Sequence, residues 1–166
     1  MDEKRPKLDL PLSPLEKVIE ILSVFGLIGI CCYLFMKWPN LPDQINTHFN
    51  AMGVADDTGG KSTLLMMPIG TACLYALLTI TARFPQTFNL PKPVTEQNAE
   101  YMYRNARLML AFLKIEIIIG FSYIEYCMVQ SAVKSSFGLG TWFLPVFLGG
   151  VFATTGYFIY KLSREK

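Results

Sequence analysis

The chain has 166 residues, of which 52% are hydrophobic and 17% are charged, and its mean hydropathy is +0.34. A water-soluble helical bundle is excluded, because each of its helices would carry a polar stripe and the apolar segments of this chain mostly do not. The formal net charge of +2 is small, and the basic residues flank apolar segments without forming a patch, so nucleic acid is not expected as a partner.

Four apolar blocks predict four transmembrane helices, since each block is long enough to cross a hydrocarbon layer about 30 Å thick. We predict an all-α integral membrane protein whose residues 1–166 form a single four-helix domain in the lipid bilayer. The predicted spans cover about 18–37, 64–82, 108–129 and 142–160, with an outer loop at 38–63 and an inner loop at 83–107.

The N-terminal segment, residues 1–17, is polar and interrupted by proline. We therefore expect a loose or surface-lying segment that leads into the first helix. Ser13 is a suitable N-cap and Pro14 suits the first helical turn, so the first helix is predicted to begin there.

The distribution of Lys and Arg outside the predicted spans indicates the orientation in the membrane. Eleven of these residues lie in the N-terminal segment, the inner loop and the C-terminal tail, and three lie on the opposite side. We therefore expect a multi-pass protein of the plasma (inner) membrane with both termini in the cytoplasm and the outer loop facing outward.

The outer loop contains the segment "QINTHFN", in which Ile45, Thr47 and Phe49 alternate with polar residues. This period of two predicts a short strand, and the following Gly- and Asp-rich residues favour turns. We expect a small structured extracellular loop with short β structure.

His48 is the only histidine in the chain, and a zinc site normally needs several His or Cys ligands, so no metal is expected. One interpretation makes His48 a proton-sensitive or ligand-binding group, with Asp43, Asp56 and Asp57 as candidate partners. The other is that His48 holds the shape of the loop. Our candidate binding residues are His48, Asn50, Lys61, Asp43 and Asp56.

The inner loop predicts that the third helix begins before its membrane span. Thr95 is a plausible N-cap, Asn98 stands where a full capping box has Glu or Gln, and no Gly or Pro follows until Gly120. A helix from Glu96 to Val129 would be about 50 Å long and would extend into the cytoplasm.

The third helix carries Lys114, Glu116 and Glu125, and ionisable residues within a membrane span are functional candidates. We expect Lys114 to extend toward the inner surface and Glu125 to lie near the outer surface. Glu116 is the deepest of the three. It either couples a binding event across the membrane, or is protonated or paired with a polar group on a neighbouring helix.

The fourth block contains several small residues. Gly149 and Ala153 are four positions apart, a spacing that permits close contact between helices. We expect this face to pack inside the bundle.

Two segments resemble those of membrane proteins with domain of unknown function 1648 (DUF1648), a family related to the SdpI-type immunity proteins. They are "LPDQINTHFNAMGVADDTGGKS" and "NLPKPVTEQNAEYMYRNARLMLAFLKIE". The resemblance implies a bacterial plasma-membrane protein with a structured outer loop. The matching residues of the first segment are Leu41, Pro42, Ile45, His48, Phe49, Asn50, Gly53, Asp56 and Lys61.

The sequence contains no nucleophile–base pair and no cofactor fingerprint, so we predict a protein without enzymatic activity or cofactor. Our first hypothesis is sensing of, binding to or immunity against an extracellular peptide or toxin, with contacts at the outer loop and coupling through Glu116. A second is a small transporter in which Lys114, Glu116 and Glu125 line a polar path. A third is a structural subunit that binds another membrane protein.

Overall fold

The computed structural model describes residues 5–134 and 137–164. Lys4 and Lys166, two of the basic residues that predict the orientation, lie outside these ranges. Within them the chain forms four long α-helices and one antiparallel pair of strands. The elements are α1 (Pro14–Lys37), β1 (Gln44–Phe49), β2 (Ala55–Gly60), α2 (Met66–Ala82), α3 (Ala99–Val133) and α4 (Phe143–Ser163), with short 3₁₀ turns at Trp38–Asn40, Lys61–Leu65 and Pro85–Thr87.

Three helical segments of the described chain are long and apolar enough to cross a membrane: Pro14–Asn40, Lys61–Ala82 and Phe143–Ser163. These segments contain α1, α2 and α4. The predicted membrane character is therefore confirmed, and so is the small β structure in the outer loop. The fourth span, in α3, stays a prediction, because the ionisable side chains of that helix lower its hydropathy.

The central element is α3, which packs against α1, α2 and α4 and also contacts β1. Its 35 residues correspond to a length of about 50 Å. Buried residues occur along the helix from Ala99 to Ser131. Two separate clusters of buried side chains, one near each end of α3, form most of the core.

The N-terminus of α1 follows the predicted capping chemistry, whereas the prediction of Thr95 as the N-cap of α3 is wrong, because α3 begins after Asn98, whose side chain makes no cap hydrogen bond. The Glu16 amide donates to Ser13 Oγ at 3.2 Å and the Ser13 amide donates to Glu16 Oε2 at 2.7 Å, which completes a capping box. Before α3, the Thr95 amide donates to Asn98 Oδ1 at 2.8 Å. These bonds form a turn over 95–98, so α3 begins three residues later than predicted, at Ala99.

Of the two forms predicted for the N-terminal segment, residues 5–13 have the surface-lying one and are not loose. Residues 5–13, which we call the N-terminal strap, cross the inner end of α3. Arg5 donates to the carbonyl oxygens of Gln86 and Phe88, and the Tyr103 hydroxyl donates to the Pro6 carbonyl at 3.0 Å. The strap is ordered because the connection between α2 and α3 and the first turns of α3 offer these partners.

The prediction that Gly149 packs inside the bundle is also wrong. A Cβ built on Gly149 would meet no other atom within 4 Å. The face of α4 that meets α3 instead carries Thr154 and Phe158, which contact Glu116 and Phe112 respectively. Gly149 and Ala153 are exposed on α4 and do not form the close helix contact that their spacing permits.

Candidate functional site

The outer loop folds as a β-hairpin, residues 44–60, which we call the outer hairpin. Gln44 lies opposite Gly60 and Phe49 lies opposite Ala55, with an irregular register between Asn46 and Phe49. The second strand is not apparent from the sequence, since "ADDTGG" contains residues that are rare in strands.

The outer hairpin is attached to the helices through its apolar face. Ile45 is buried and packs with Leu34 of α1, with Leu64, and with Met128 and Val129 of α3. Burial of these side chains stabilises the hairpin, because an isolated two-stranded hairpin is only marginally stable in water.

His48 bridges the two strands of the outer hairpin. Its Nδ1 lies 2.6 Å from Asp56 Oδ1, and the two side chains are 66% and 42% exposed. The predicted pairing of His48 with Asp56 is therefore present in the structure. Because both groups face solvent, they are accessible to a ligand and the pair contributes little to stability.

Asn50 builds the tip of the outer hairpin. Its Oδ1 accepts hydrogen bonds from the amides of Met52, at 2.9 Å, and Val54, at 3.2 Å. The next glycine, Gly53, has a φ of +74°, and its carbonyl accepts a 2.9 Å hydrogen bond from the Leu139 amide. Asn50 thus shapes a turn that is fixed to the connection between α3 and α4.

Lys61 and Asp43 lie at the base of the outer hairpin. Lys61 Nζ is 3.4 Å from Asp43 Oδ1 and 5.6 Å from the centroid of the Trp38 ring. Asp43 is almost fully exposed, whereas Lys61 is half-buried against Trp38. Of this pair, Asp43 is therefore the side chain that is more accessible to solvent.

A polar cluster joins α1, α2 and α3. Lys114 is paired with the carboxylate of Glu20, which also accepts a hydrogen bond from the Tyr75 hydroxyl. Lys114 Nζ donates to Thr79 Oγ1 at 3.0 Å. The Lys114 side chain is only 5% exposed. The prediction that it extends toward the inner surface is therefore wrong. Sequence reasoning missed Glu20, although an acidic residue in an apolar block is itself a signal.

A second buried ion pair lies toward the N-terminus of α1. Arg107 donates to Glu16 through Nε at 2.9 Å and through Nη2 at 2.8 Å, and the two side chains are 7% and 6% exposed. Arg107 Nη1 also donates to the Leu10 carbonyl at 2.6 Å. This pair fixes α1, α3 and the N-terminal strap to one another.

Glu116 and Glu125 differ from these paired groups. Glu116 Oε1 accepts a hydrogen bond from Thr154 of α4, in line with the predicted polar partner, but Oε2 is buried and has no partner among the described residues. Glu125 is fully buried, and neither of its oxygens has a partner in the described chain. The expectation that it reaches the outer surface is wrong, because α3 continues for two more turns and packs there under the outer hairpin.

The predicted site residues therefore form two separate groups. The binding candidates lie in the outer hairpin or directly beside it: Asn50 is at the tip, His48 and Asp56 pair across the strands, and Asp43 and Lys61 adjoin the base. The three ionisable residues of α3 are not brought together: Lys114 contacts α1 and α2, whereas Glu116 contacts α4. Within the described ranges, no group of three or more His, Cys, Asp or Glu residues is placed to hold a metal ion.

Comparisons with known proteins agree with the resemblance seen in the sequence. The model of the family "Domain of unknown function (DUF1648)" matches residues 25–72, which cover the outer part of α1, the outer hairpin and the first turns of α2. An uncharacterized protein of Archaeoglobus fulgidus is 22% identical over 152 residues, and the alignment covers 83% of each chain. No solved structure matches. The predicted resemblance to DUF1648 is thus confirmed for residues 25–72.

Proposed function

We propose that this protein is a membrane receptor or immunity protein that binds an extracellular cationic, amphipathic peptide and reports the binding to the cytoplasmic side. The observation that carries this proposal is the position of α3. The same helix packs under the outer hairpin through Met128 and Val129 and holds the N-terminal strap through Tyr103 and Arg107.

The surface of the outer hairpin suits a cationic, amphipathic partner. Asp56 and Asp57 are exposed on β2, and Asp43 is exposed at the base. Met52 and Val54 are exposed at the tip, beside these carboxylates. A peptide with basic and apolar side chains would meet complementary groups on this surface.

In this proposal α3 is a fourth transmembrane helix, and the chain crosses the plasma membrane with both termini in the cytoplasm. The distribution of basic residues supports this orientation. The charged groups of α3 are compatible with a span, because Lys114 is paired inside the bundle and Glu116 is hydrogen-bonded to α4.

Peptide binding to the full chain in lipid nanodiscs tests the proposed contact. Asp56→Asn with Asp57→Asn should lower the affinity for a fluorescent cationic amphipathic peptide by about tenfold and flatten its salt dependence, since two attractive charges are removed. Glu96→Gln with Glu100→Gln removes two exposed charges near the start of α3 and should leave binding unchanged. Equal affinities for both double variants would refute binding at the outer hairpin.

Labelling with a membrane-impermeant thiol reagent tests the orientation. In a background without the four native cysteines, His48→Cys should react on intact cells and Lys92→Cys should react only after lysis. The reverse pattern would invert the proposed topology.

A second candidate function is proton-coupled transport, and a specific observation favours it. Glu125 is a fully buried carboxyl group without a partner among the described residues, and such groups in membrane helices mark proton or ion pathways. Proton flux into liposomes that contain the protein tests this candidate. Flux that is absent, or that is unaffected by Glu125→Gln, would remove it.

A further inference from the structure

The connection between α3 and α4 folds back along α3 before α4 begins. The Phe137 ring packs edge-on against Tyr126 of α3, with 5.8 Å between the centroids, and the Leu139 carbonyl accepts a 3.1 Å hydrogen bond from the Tyr123 hydroxyl. Phe143, the first residue of α4, stacks on the same Tyr123 at 5.1 Å. Leu139 therefore lies close to the level where α4 begins, about 15 Å along α3 from the last residue of that helix.

The tip of the outer hairpin is attached to this connection. Gly53 accepts the 2.9 Å hydrogen bond from the Leu139 amide, and a Cβ built on Gly53 would come within 2.6 Å of the Gly140 backbone. Farther back along β1, Ile45 and Phe49 pack in the apolar cluster at the end of the bundle. The outer hairpin therefore lies across the helix ends, and its tip reaches the level where α4 begins.

That level is a boundary of the lipid bilayer. The 21 residues of α4 rise by about 31 Å, which matches a hydrocarbon layer about 30 Å thick, and the helix is apolar enough to span it. Trp142, directly before α4, is exposed, and tryptophan is enriched at the interface between hydrocarbon and water. Because α4 packs mainly against α3 and is otherwise largely uncovered, lipid adjoins its first turn. This holds for either orientation of the chain in the membrane.

The hairpin tip presents two apolar side chains at this boundary. Met52 and Val54 flank Gly53 in the sequence and are 63% and 58% exposed. A turn that faces water normally carries polar residues, whereas exposed apolar side chains gain free energy by leaving water. The lipid interface beside α4 is the apolar surroundings that the attachment of the tip brings within reach.

We infer that the tip of the outer hairpin inserts into the lipid interface beside α4, with Met52 and Val54 among the headgroups and upper acyl chains of one leaflet. Apolar groups of interfacial segments enter this region by roughly 5–10 Å. The exposed carboxylates of Asp56 and Asp57, farther along β2, stay on the water side. A peptide adsorbed on the same leaflet could still reach the outer hairpin, so the inference is compatible with the proposed peptide binding but does not depend on it.

Quenching by labelled lipid tests the inference. In a background without the four native cysteines, Met52→Cys and Val54→Cys are each labelled with the fluorophore NBD, and the full chain is placed in nanodiscs. The discs contain phosphatidylcholine that is spin-labelled near the acyl carbonyl. Quenching at both positions should be at least about twofold stronger than at His48→Cys. His48 is the matched control, because it is also largely exposed but alternates with Ile45 and so lies on the other face of β1.

A second substitution tests whether the attachment of Gly53 sets the depth of the tip. Gly53→Ala introduces a Cβ that collides with the Gly140 backbone, so the tip should move off the connection and the quenching at position 52 should fall toward that at position 48. Gly60→Ala, at the base of the outer hairpin, has no such collision and should leave the quenching unchanged.

Three results would overturn the inference. The first is equal quenching at positions 48, 52 and 54. The second is quenching at position 52 that is the same in the Gly53→Ala and Gly60→Ala variants. The third is a blue-shifted NBD emission at the tip without quenching by the labelled lipid, which would assign Met52 and Val54 to a contact with a second copy of the chain. No peptide is present in these measurements, so their outcome is separate from that of the peptide titration.

Discussion

The outer hairpin and the end of the bundle at the N-termini of α1 and α3 each contain a polar side-chain pair that joins two elements, but the two pairs lie in opposite surroundings. The His48–Asp56 pair is largely exposed, whereas the Arg107–Glu16 pair is almost completely buried. Water screens the first pair, so its groups stay available to a ligand and contribute little to stability. The second pair is costly to break, because removing one partner leaves a buried charge without compensation.

This difference separates two kinds of polar residue in one small protein. The polar groups of the outer hairpin lie over an apolar core, so they can be substituted without leaving a cavity in that core. The polar groups at the inner end of α1 and α3 are themselves part of the packing. Substitutions at the buried pair should therefore change stability most, and substitutions at the exposed pair least.

Arg107→Met should lower the free energy of unfolding by about 3–5 kcal/mol, because Glu16 loses its partner inside the bundle. Unfolding in mixed detergent micelles measures the loss. Arg104→Met is the matched control: Arg104 pairs with Glu100 at 2.8 Å, but this pair is exposed and should contribute only about 0–1 kcal/mol.

The double variant Glu16→Leu with Arg107→Met should regain part of the stability, since both buried charges are then absent, whereas the Ser13 amide and the Leu10 carbonyl still lack the partners that they have in the parent. Similar losses for the variants at Arg107 and Arg104 would contradict the division between buried and exposed pairs.

Gly53→Ala should cost about 1–3 kcal/mol, because alanine is strained at a φ of +74° and its Cβ would collide with the backbone of Gly140. Hydrogen exchange of the hairpin amides should accelerate accordingly. Gly60→Ala is the control, since Gly60 has a φ of −65° and no close neighbour, and exchange there should change little. Equal effects at both glycines would refute the proposed role of the left-handed turn.

His48→Ala should change the free energy of unfolding by about 0–1 kcal/mol, the smallest effect of the three. A double-mutant cycle with Asp56→Ala measures the coupling between the two side chains. A loss above about 2 kcal/mol would instead make His48 an architectural residue. This measurement therefore decides between the two interpretations of the only histidine.

Local chemistry made part of this fold predictable. Ser13 and Pro14 mark the start of α1, and the alternation around Ile45 marks β1, because caps and strand periodicity depend on neighbouring residues. The membrane segments follow from block length and apolarity. The family resemblance of the outer loop also rests on a short contiguous segment.

The features that the sequence did not reveal depend on contacts between distant residues. The N-terminal strap is held by groups more than eighty positions away, such as the Arg107 guanidinium bound to the Leu10 carbonyl. The spacing of Gly149 and Ala153 permits close packing but does not say which face of α4 meets α3. Glu20 becomes recognisable as a partner only once α1 and α3 lie side by side.

The packing of Ile45 also has a consequence for modularity. The DUF1648 match ends at residue 72, yet the hairpin it contains is covered from below by Met128 and Val129 of α3. If residues 25–72 were excised, this apolar surface would be uncovered and the segment would associate with whatever hydrophobic surface it met. The apolar cluster that holds the hairpin therefore extends beyond residues 25–72. Transplanting the outer hairpin onto another scaffold requires an element that covers Ile45 as α3 does here.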